Sequence, residues 1–472
     1  MNSKKTKIVA TIGPATSSEE MLEKLFIAGV NVVRLNFSHG DFAEHQPKVD
    51  RTRKIAKKLG MPVAVLQDLS GPKIRIGDFY QERVDLTAGD EFVLTTETIV
   101  GDEHKASINY PKLPAEVKEG SVIFLDDGKK KLIVKSIKGK EIYCEIVIGG
   151  NTKGRRGVNV PGAYLSIDSL TEKDRADLLF GIENKVDFMA ISFVRRAEDI
   201  NELREILKKH KAGDIKIIAK IETEEALENL DEIIMASDGI MVARGDLAIE
   251  IPAEDVPVAQ KDIIRKCNEV GKPVITATQM LESMIKSPVP TRAEVGDIAN
   301  AIFDGTDAVM LSEETTLGEF PIQAVEVMTR VAVRVEQEID HASVLQNSHL
   351  TRKSITDSFS YGAVNRAHEI GASAIVALSK SGDTARMVSR YRPHKPFIAL
   401  TPAEKTYNQL ALSYGVRPVL TEQFSSLPSM VKKSKEILLA QDLVGPADTF
   451  LIVAGLPFGQ SGSTNLLLAE RI

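Results

Sequence analysis

Short, unbroken apolar runs recur along the chain, and each stops abruptly at charged or polar residues. Ile217-Ile218-Ala219 runs into Lys220 and Glu222, and Ile240-Met241-Val242-Ala243 runs into Arg244 and Asp246. Continuous apolar runs of about four to eight residues suit strands buried on both faces, as in a parallel sheet. The pattern predicts strands at 8–12, 30–37, 62–69, 186–194, 216–221, 239–243, 273–277 and 308–311. Helical stretches alternate with them: one capped by Ser17 or Ser18 and running through Ala28, and a basic one from Glu44 to Leu59 closed by Gly60. Eight βα units match the count of a (β/α)8 TIM barrel.

The rhythm breaks at Gly71-Pro72. From 72 to 161 the pattern alternates as strands and turns do, with a hairpin predicted around Asp127-Gly128 and no long helix. Barrel character resumes after Pro161, and a long helix over 322–339 leads to a polar linker at 346–349. Helices are predicted at 354–369, from 383, at 404–414 and at 427–439, with strands at 373–378, 397–400, 416–420 and 449–453. A glycine-rich loop at 455–462 precedes a last strand. The expected architecture is α/β: a discontinuous barrel (1–71 and 162–342), an inserted small β-barrel lid domain (72–161), and a carboxyl-terminal open α/β domain (343–472).

Strand ends are where such folds place chemistry. Two carboxylates brought within about 4 Å repel by roughly 4 kcal/mol at an effective dielectric near 20, so Glu222 and Asp246 call for a cation between them. A sparse, all-oxygen pair suits Mg²⁺, which leaves its other positions to water and substrate. Lys220 would supply a fixed positive charge for a phosphate or a developing oxyanion. The plainer reading is strand-end salt bridging. Against it, polar groups gather at seven of the eight strand ends: Asn36 and Ser38, Asp68, Ser192, Lys220 and Glu222, Arg244 and Asp246, Thr278, and Ser312 with Glu314.

Composition narrows the partners. A net charge of −6 argues against nucleic acid or an acidic membrane surface. No apolar run reaches the roughly 18 residues of a membrane span. The amino end carries no leader-like apolar region, and Cys144 and Cys267 lack metal-ligand spacing, so a reduced, cytoplasmic protein is expected.

Six motifs then stand in order: Lys7-Ile-Val-Ala-Thr-Ile-Gly-Pro-Ala-Thr, Val33-Arg-Leu-Asn-Phe-Ser-His-Gly, Ala219-Lys-Ile-Glu, Met241-Val-Ala-Arg-Gly-Asp-Leu, Thr276-Ala-Thr-Gln-Met-Leu-Glu-Ser-Met and Pro290-Thr-Arg-Ala-Glu-Val. Together they resemble the pyruvate kinase family over essentially the whole chain. The resemblance implies phosphoryl transfer from phosphoenolpyruvate to ADP in glycolysis, giving pyruvate and ATP. It implies Mg²⁺, or Mn²⁺, on Glu222 and Asp246, and Lys220 on the migrating phosphoryl group. It also implies Arg34 and Arg75 gripping phosphates, Thr278 beside the enolate carbon, and backbone amides around Gly245 and Asp246 on the substrate carboxylate, with Ser312 nearby. His39 and Lys173 would lie toward the nucleotide, and the assembly would be a homotetramer.

Departures from the family pattern carry their own expectations. Where the family commonly reads Asp-Thr-Lys-Gly-Pro-Glu, this chain reads Asp68-Leu69-Ser70-Gly71-Pro72-Lys73. In potassium-requiring members, residues matching Asn36, Ser38 and Asp68 bind K⁺, with the next carbonyl as a further ligand and a glutamate nearby at the position of Lys73. A lysine there resembles the potassium-independent branch, its tethered ammonium standing in for the ion; the alternative is that Lys73 points into solvent and the site still binds K⁺. Ala248 and Glu313 stand where glycine is usual; the alanine is expected to be harmless and the glutamate to point outward.

Ser379, Ser381, Gly382 and Thr384 open a carboxyl-terminal helix as an anion nest for a possible sugar-phosphate effector, although Asp383 would repel a phosphate lodged there. Two other readings compete with a kinase. A metal-dependent aldolase or lyase barrel would form pyruvate without ADP, and a regulatory protein with a dead barrel would have lost Lys220 or the acids.

Overall fold

The computed structural model describes residues 4–346, 354–458 and 464–472. Eight parallel strands close into a barrel: Lys7–Thr11, Val32–Asn36, Ala64–Asp68, Phe188–Ile191, Lys216–Ile221, Gly239–Ala243, Val274–Ala277 and Ala308–Leu311. Closure comes from the first strand, which pairs with both the second and the eighth. Each predicted strand is present, shortened where the run had been carried into the turns.

Alternate residues along these strands face two different cores, as period-two geometry requires. Val9, Val32, Leu66, Ile218, Met241 and Ile275 fill the barrel interior, whereas Ile8, Val33, Val65, Ile217 and Ile240 pack outward among the helices. The helices are capped as their sequences dictate. Ser18 accepts from Met21 N, Asp41 accepts from Glu44 N, and Gly60 ends helix Phe42–Leu59 in the left-handed region at φ 63°.

The insert is all-β apart from a short helix, Leu113–Glu116. Its strands form one six-stranded sheet and a two-stranded ribbon around a shared apolar core that includes Phe92, Leu94, Ile123, Leu132 and Ile146. The predicted hairpin joins Val122–Leu125 to Lys130–Lys138, and its turn holds Asp126, Asp127 and Gly128 all at positive φ. Aspartate tolerates that region better than most side chains do.

The carboxyl-terminal sheet has five strands in the order Val416–Leu420, Phe397–Thr401, Ala374–Leu378, Thr449–Ala454 and Leu466–Arg471, the last antiparallel. The long helix runs Pro321–Glu336, and a further short helix, His341–Gln346, follows it. The predicted polar linker overlaps the end of that short helix and otherwise lies outside the described residues, as does the loop beyond 458.

One helix differs from expectation. The continuous helix predicted at 404–414 is Glu404–Gln409 followed by a tighter turn, Leu410–Leu412. The change places Ala411 and Leu412 in the same apolar cluster as the barrel-interior side chains, so this domain stoppers the barrel. Polar contacts at the strands' amino ends reinforce the junction. Gln409 donates to Asp187 O at 3.1 Å, and Arg392 donates to Asp307 at 3.1 Å. Among the described residues no helix is long and apolar enough to cross a membrane.

Candidate active site

The opposite, carboxyl ends of the strands hold a tight group of charges. Asp68, on the third strand, accepts from Arg34 Nε of the second at 2.7 Å. Lys220, on the fifth, lies 3.5 Å from Asp68 Oδ1 and 2.8 Å from Glu222 Oε1. It also donates to Ser192 Oγ at 2.8 Å, and Ser192 in turn donates to Leu69 O at 2.7 Å. The Phe193 amide donates to Glu222 Oε2 at 2.7 Å. The side chains of Glu222 and Asp68 are 0% and 1% exposed, so these charges balance one another with little help from water.

The electrostatics follow from that arrangement. Burial works against charge on Lys220, but Asp68, Glu222 and Asp246 outweigh it and hold the ammonium above the ordinary lysine range. Burial, opposed by Lys220 and reinforced by Asp246, pushes the Glu222 carboxyl upward. Burial also opposes charge on Asp68, yet Lys220 and Arg34 together hold its carboxyl low. Asp68 Oδ1 and Glu222 Oε1 are buried and receive no hydrogen bond of good geometry, although the Lys220 ammonium is near both. Such unmet acceptor capacity suits a cation. Among the described residues no group of three or more His, Cys, Asp or Glu is placed to hold a metal. The carboxylate pair Glu222 and Asp246 fits an ion that takes most of its ligands from water and substrate.

Thr278 sits just past the seventh strand with φ 68°, and Gln279 follows at φ 55°. Positive φ is strained for a β-branched residue, and such strain persists only where its surroundings enforce it. Arg244 does so by donating to Thr278 O at 2.7 Å and Ala277 O at 3.3 Å while held by Asp297 at 2.6 Å. Thr278 Oγ1 donates to Ala277 O at 2.6 Å and accepts from Gly245 N at 2.8 Å. The Gly245 amide at the start of helix Arg244–Glu250 is therefore engaged by Thr278. The Ser312 amide donates to Glu314 at 2.7 Å. Ala248 and Glu313 are both exposed.

Other expected residues are dispersed around this center. His39 and Arg75 are exposed, and Arg75 donates to Arg155 O at 3.0 Å. Lys173 donates to Phe37 O at 2.7 Å and to Asp177 at 2.5 Å, bracing the loop after the second strand. Asn36 Oδ1 accepts from Ser38 N at 3.1 Å, and Ser38 Oγ reaches Ser70 Oγ at 3.4 Å. Lys73 is exposed and lines the cleft between insert and barrel, together with Asp127, Asn159, Arg195, Asp246 and Glu250.

At the carboxyl-terminal nest, Ser381 Oγ donates to Asp383 at 2.7 Å, Arg386 pairs with Asp383 at 2.6 Å, and Thr384 Oγ1 lies 2.7 Å from Thr464 Oγ1. Ser379 is buried and Gly382 caps the helix at φ 87°. Within the turn, Ser381 and Arg386 are engaged by Asp383, which stands as an internal anion.

One contributor was missed in the sequence, and the tie made by another was not read. Thr11, ending the first strand, accepts from Arg34 Nη1 at 2.9 Å, so all eight strand ends carry a polar group. Ser192 was noted only as a strand-end residue, and its tie to Lys220 depends on the pairing of neighboring strands.

Comparison with known proteins identifies the family. The family model "Pyruvate kinase, barrel domain" matches residues 3–325, and "Pyruvate kinase, alpha/beta domain" matches 357–468. The pyruvate kinase of Clostridium perfringens is 44% identical, with 99% of this chain and 100% of that protein covered. That of Geobacillus stearothermophilus is 47% identical over 99% of this chain and 80% of its own length. The crystal structure of a pyruvate kinase from Cryptosporidium parvum superposes with a TM-score of 0.95 at 37% identity, covering 99% of this chain and 96% of that one. With both family models in place and full-length relatives well above 30% identity, the chain belongs to the pyruvate kinase family of phosphotransferases.

Proposed function

We propose that the chain carries out Mg²⁺-dependent phosphoryl transfer from phosphoenolpyruvate to ADP, giving pyruvate and ATP, and that it needs no K⁺. The observation that carries this reading is the Lys220 ammonium set among Asp68, Glu222 and Ser192 at the barrel mouth. Phosphoryl transfer asks for positioning and charge stabilisation more than for covalent chemistry by the protein.

Glu222 and Asp246 would hold the metal, Mg²⁺ or Mn²⁺, which when bound supplies Lewis-acid polarisation of phosphoryl oxygens. Lys220 balances charge on the group in flight. Arg34, fixed by Asp68 and Thr11, presents its planar fork to phosphate oxygens. Thr278 stands by the enolate carbon, which takes its proton through water, while Gly245, Asp246 and Ser312 frame the substrate carboxylate. Arg75 and His39 serve ADP, and Lys173 supports them by bracing the Phe37 carbonyl.

Support for potassium independence comes from oxygens that already have partners. Asp68 Oδ2 takes Arg34, with the Lys220 ammonium 3.5 Å from Oδ1, Asn36 Oδ1 takes the Ser38 amide, and Leu69 O takes the Ser192 hydroxyl. Lys73, on its flexible stem at the cleft rim, supplies the charge instead. The enzyme would serve glycolysis in the cytoplasm as a homotetramer. The carboxyl-terminal nest, closed on Asp383, has no part in this proposal.

A coupled assay with phosphoenolpyruvate, ADP and Mg²⁺, with tetramethylammonium as the other cation, tests the reading. Full turnover is expected. Near-zero turnover restored by KCl would refute potassium independence, and pyruvate formed without ATP would favor a lyase.

A further inference from the structure

Asn159 Nδ2 donates to Glu250 Oε1 at 3.0 Å across the cleft. Asn159 ends the insert's last strand, Val158–Asn159, and Glu250 is the last residue of helix Arg244–Glu250, whose first turn carries Asp246. The insert's hairpin turn lies close by: Gly128 faces the Ile249 side chain, and a Cβ added there would stand 3.7 Å from it. Asn159 and Glu250 both line the cleft that also contains Asp246.

We infer that Asn159 and Glu250 form a latch that holds the insert closed over the metal-bearing end of the barrel, with Glu250 as a positioning residue. A hydrogen bond to an ionised acceptor is about twice as strong as one between neutral groups, so a single such contact can bias a lid. Around Glu250, burial raises the carboxyl and the neighboring acids Glu224 and Asp246 add to the rise, so the Asn159 amide and Arg195 are what favor the ionised carboxylate. Held shut, the insert excludes water from the cleft, so that the phosphoryl group meets ADP rather than solvent. Further contacts flank the cleft: Tyr164, just past the insert, donates to Glu228 at 3.0 Å, Glu116 of the insert accepts from Ser166 N at 3.2 Å, and Arg195 donates to Ile167 O at 2.9 Å.

The kinetic readout rests on the kinase reading, so closure is also measured without turnover. Asn159→Asp sets two carboxylates against each other across the latch. KM for phosphoenolpyruvate should rise about tenfold with kcat within about twofold, since like charges facing each other disfavor the closed state. Hydrogen exchange at residues 126–129 and 158–159 should speed up in the same variant. Adding Glu250→Gln to Asn159→Asp reverses donor and acceptor: the introduced amide donates to the introduced carboxylate, and both readouts should return toward wild type.

An unchanged KM and unchanged exchange in Asn159→Asp would overturn the latch. So would a double variant no better than the single one, because a contact that only supports the fold gains nothing from the exchange. If the wild-type protein failed to turn over phosphoenolpyruvate and ADP while exchange still followed the latch variants, the kinase reading would fall and the latch would stand.

Discussion

Lys220 donates to Ser192 Oγ at 2.8 Å, and because that hydroxyl gives its own proton to Leu69 O at 2.7 Å, Ser192 can only accept from the lysine. The serine thus aims the ammonium, and it also occupies the carbonyl that follows Asp68. One hydroxyl links the central charge to the backbone that follows the third strand.

On the proposed reading, Lys73 is the residue whose charge replaces a monovalent ion. Lys73→Glu is expected to create a requirement for K⁺: activity in tetramethylammonium should fall by about tenfold or more and recover with KCl, as an anion at the rim calls for a mobile cation. Activity against KCl concentration checks this. A variant equally active in both salts would remove Lys73 from the account.

The stopper at the barrel's amino end has its own consequence. Leu412 is 0% exposed and packs with Val9, Ile218 and Met241. Leu412→Ala should cost about 2–5 kcal/mol of stability, the usual range for emptying a buried leucine site. Urea denaturation should show the loss, while KM for phosphoenolpyruvate stays near wild type because the active-site cleft lies at the other end.

The same junction shapes the response to pH. Burial, then the nearby Arg417, lower Lys7 from 10.5 to about 8 against the pull of Glu336 and Asp307, and its ammonium donates to Val416 O at 2.7 Å. Between those two values the unfolded chain binds more protons than the folded one, so stability rises with pH across roughly 8 to 10.5. At about 1.4 kcal/mol per pKa unit the full swing is about 3 kcal/mol. Lys7→Met should flatten that part of the curve, as read from melting temperatures across the window.

Much of the fold could be read in advance because a barrel strand buried on both faces writes itself as an apolar run with a polar end. Strand limits were less legible: Val186 and Val194 are buried without joining the ladder, so burial alone extended the predicted strand. The turn at Leu410–Leu412 was hidden for a similar reason, since its apolar residues look helical until the barrel they close is in view. At the site, Lys220, Glu222 and Asp246 stood out as charges ending apolar runs. The Ser192 bridge and the Arg244 clamp on Thr278 did not, because each depends on which strand ends up beside which.

The central claim is that a buried ammonium, held by two carboxylates and a hydroxyl, carries the charge of a migrating phosphoryl group. The direct measurement is the rate of ATP formation by Lys220→Met, in a preparation shown by circular dichroism to be folded and by Mn²⁺ titration to bind metal. The account predicts a loss of about a thousandfold or more in kcat, the scale of removing a preorganised charge from a transition state. Turnover within about threefold of wild type would contradict it.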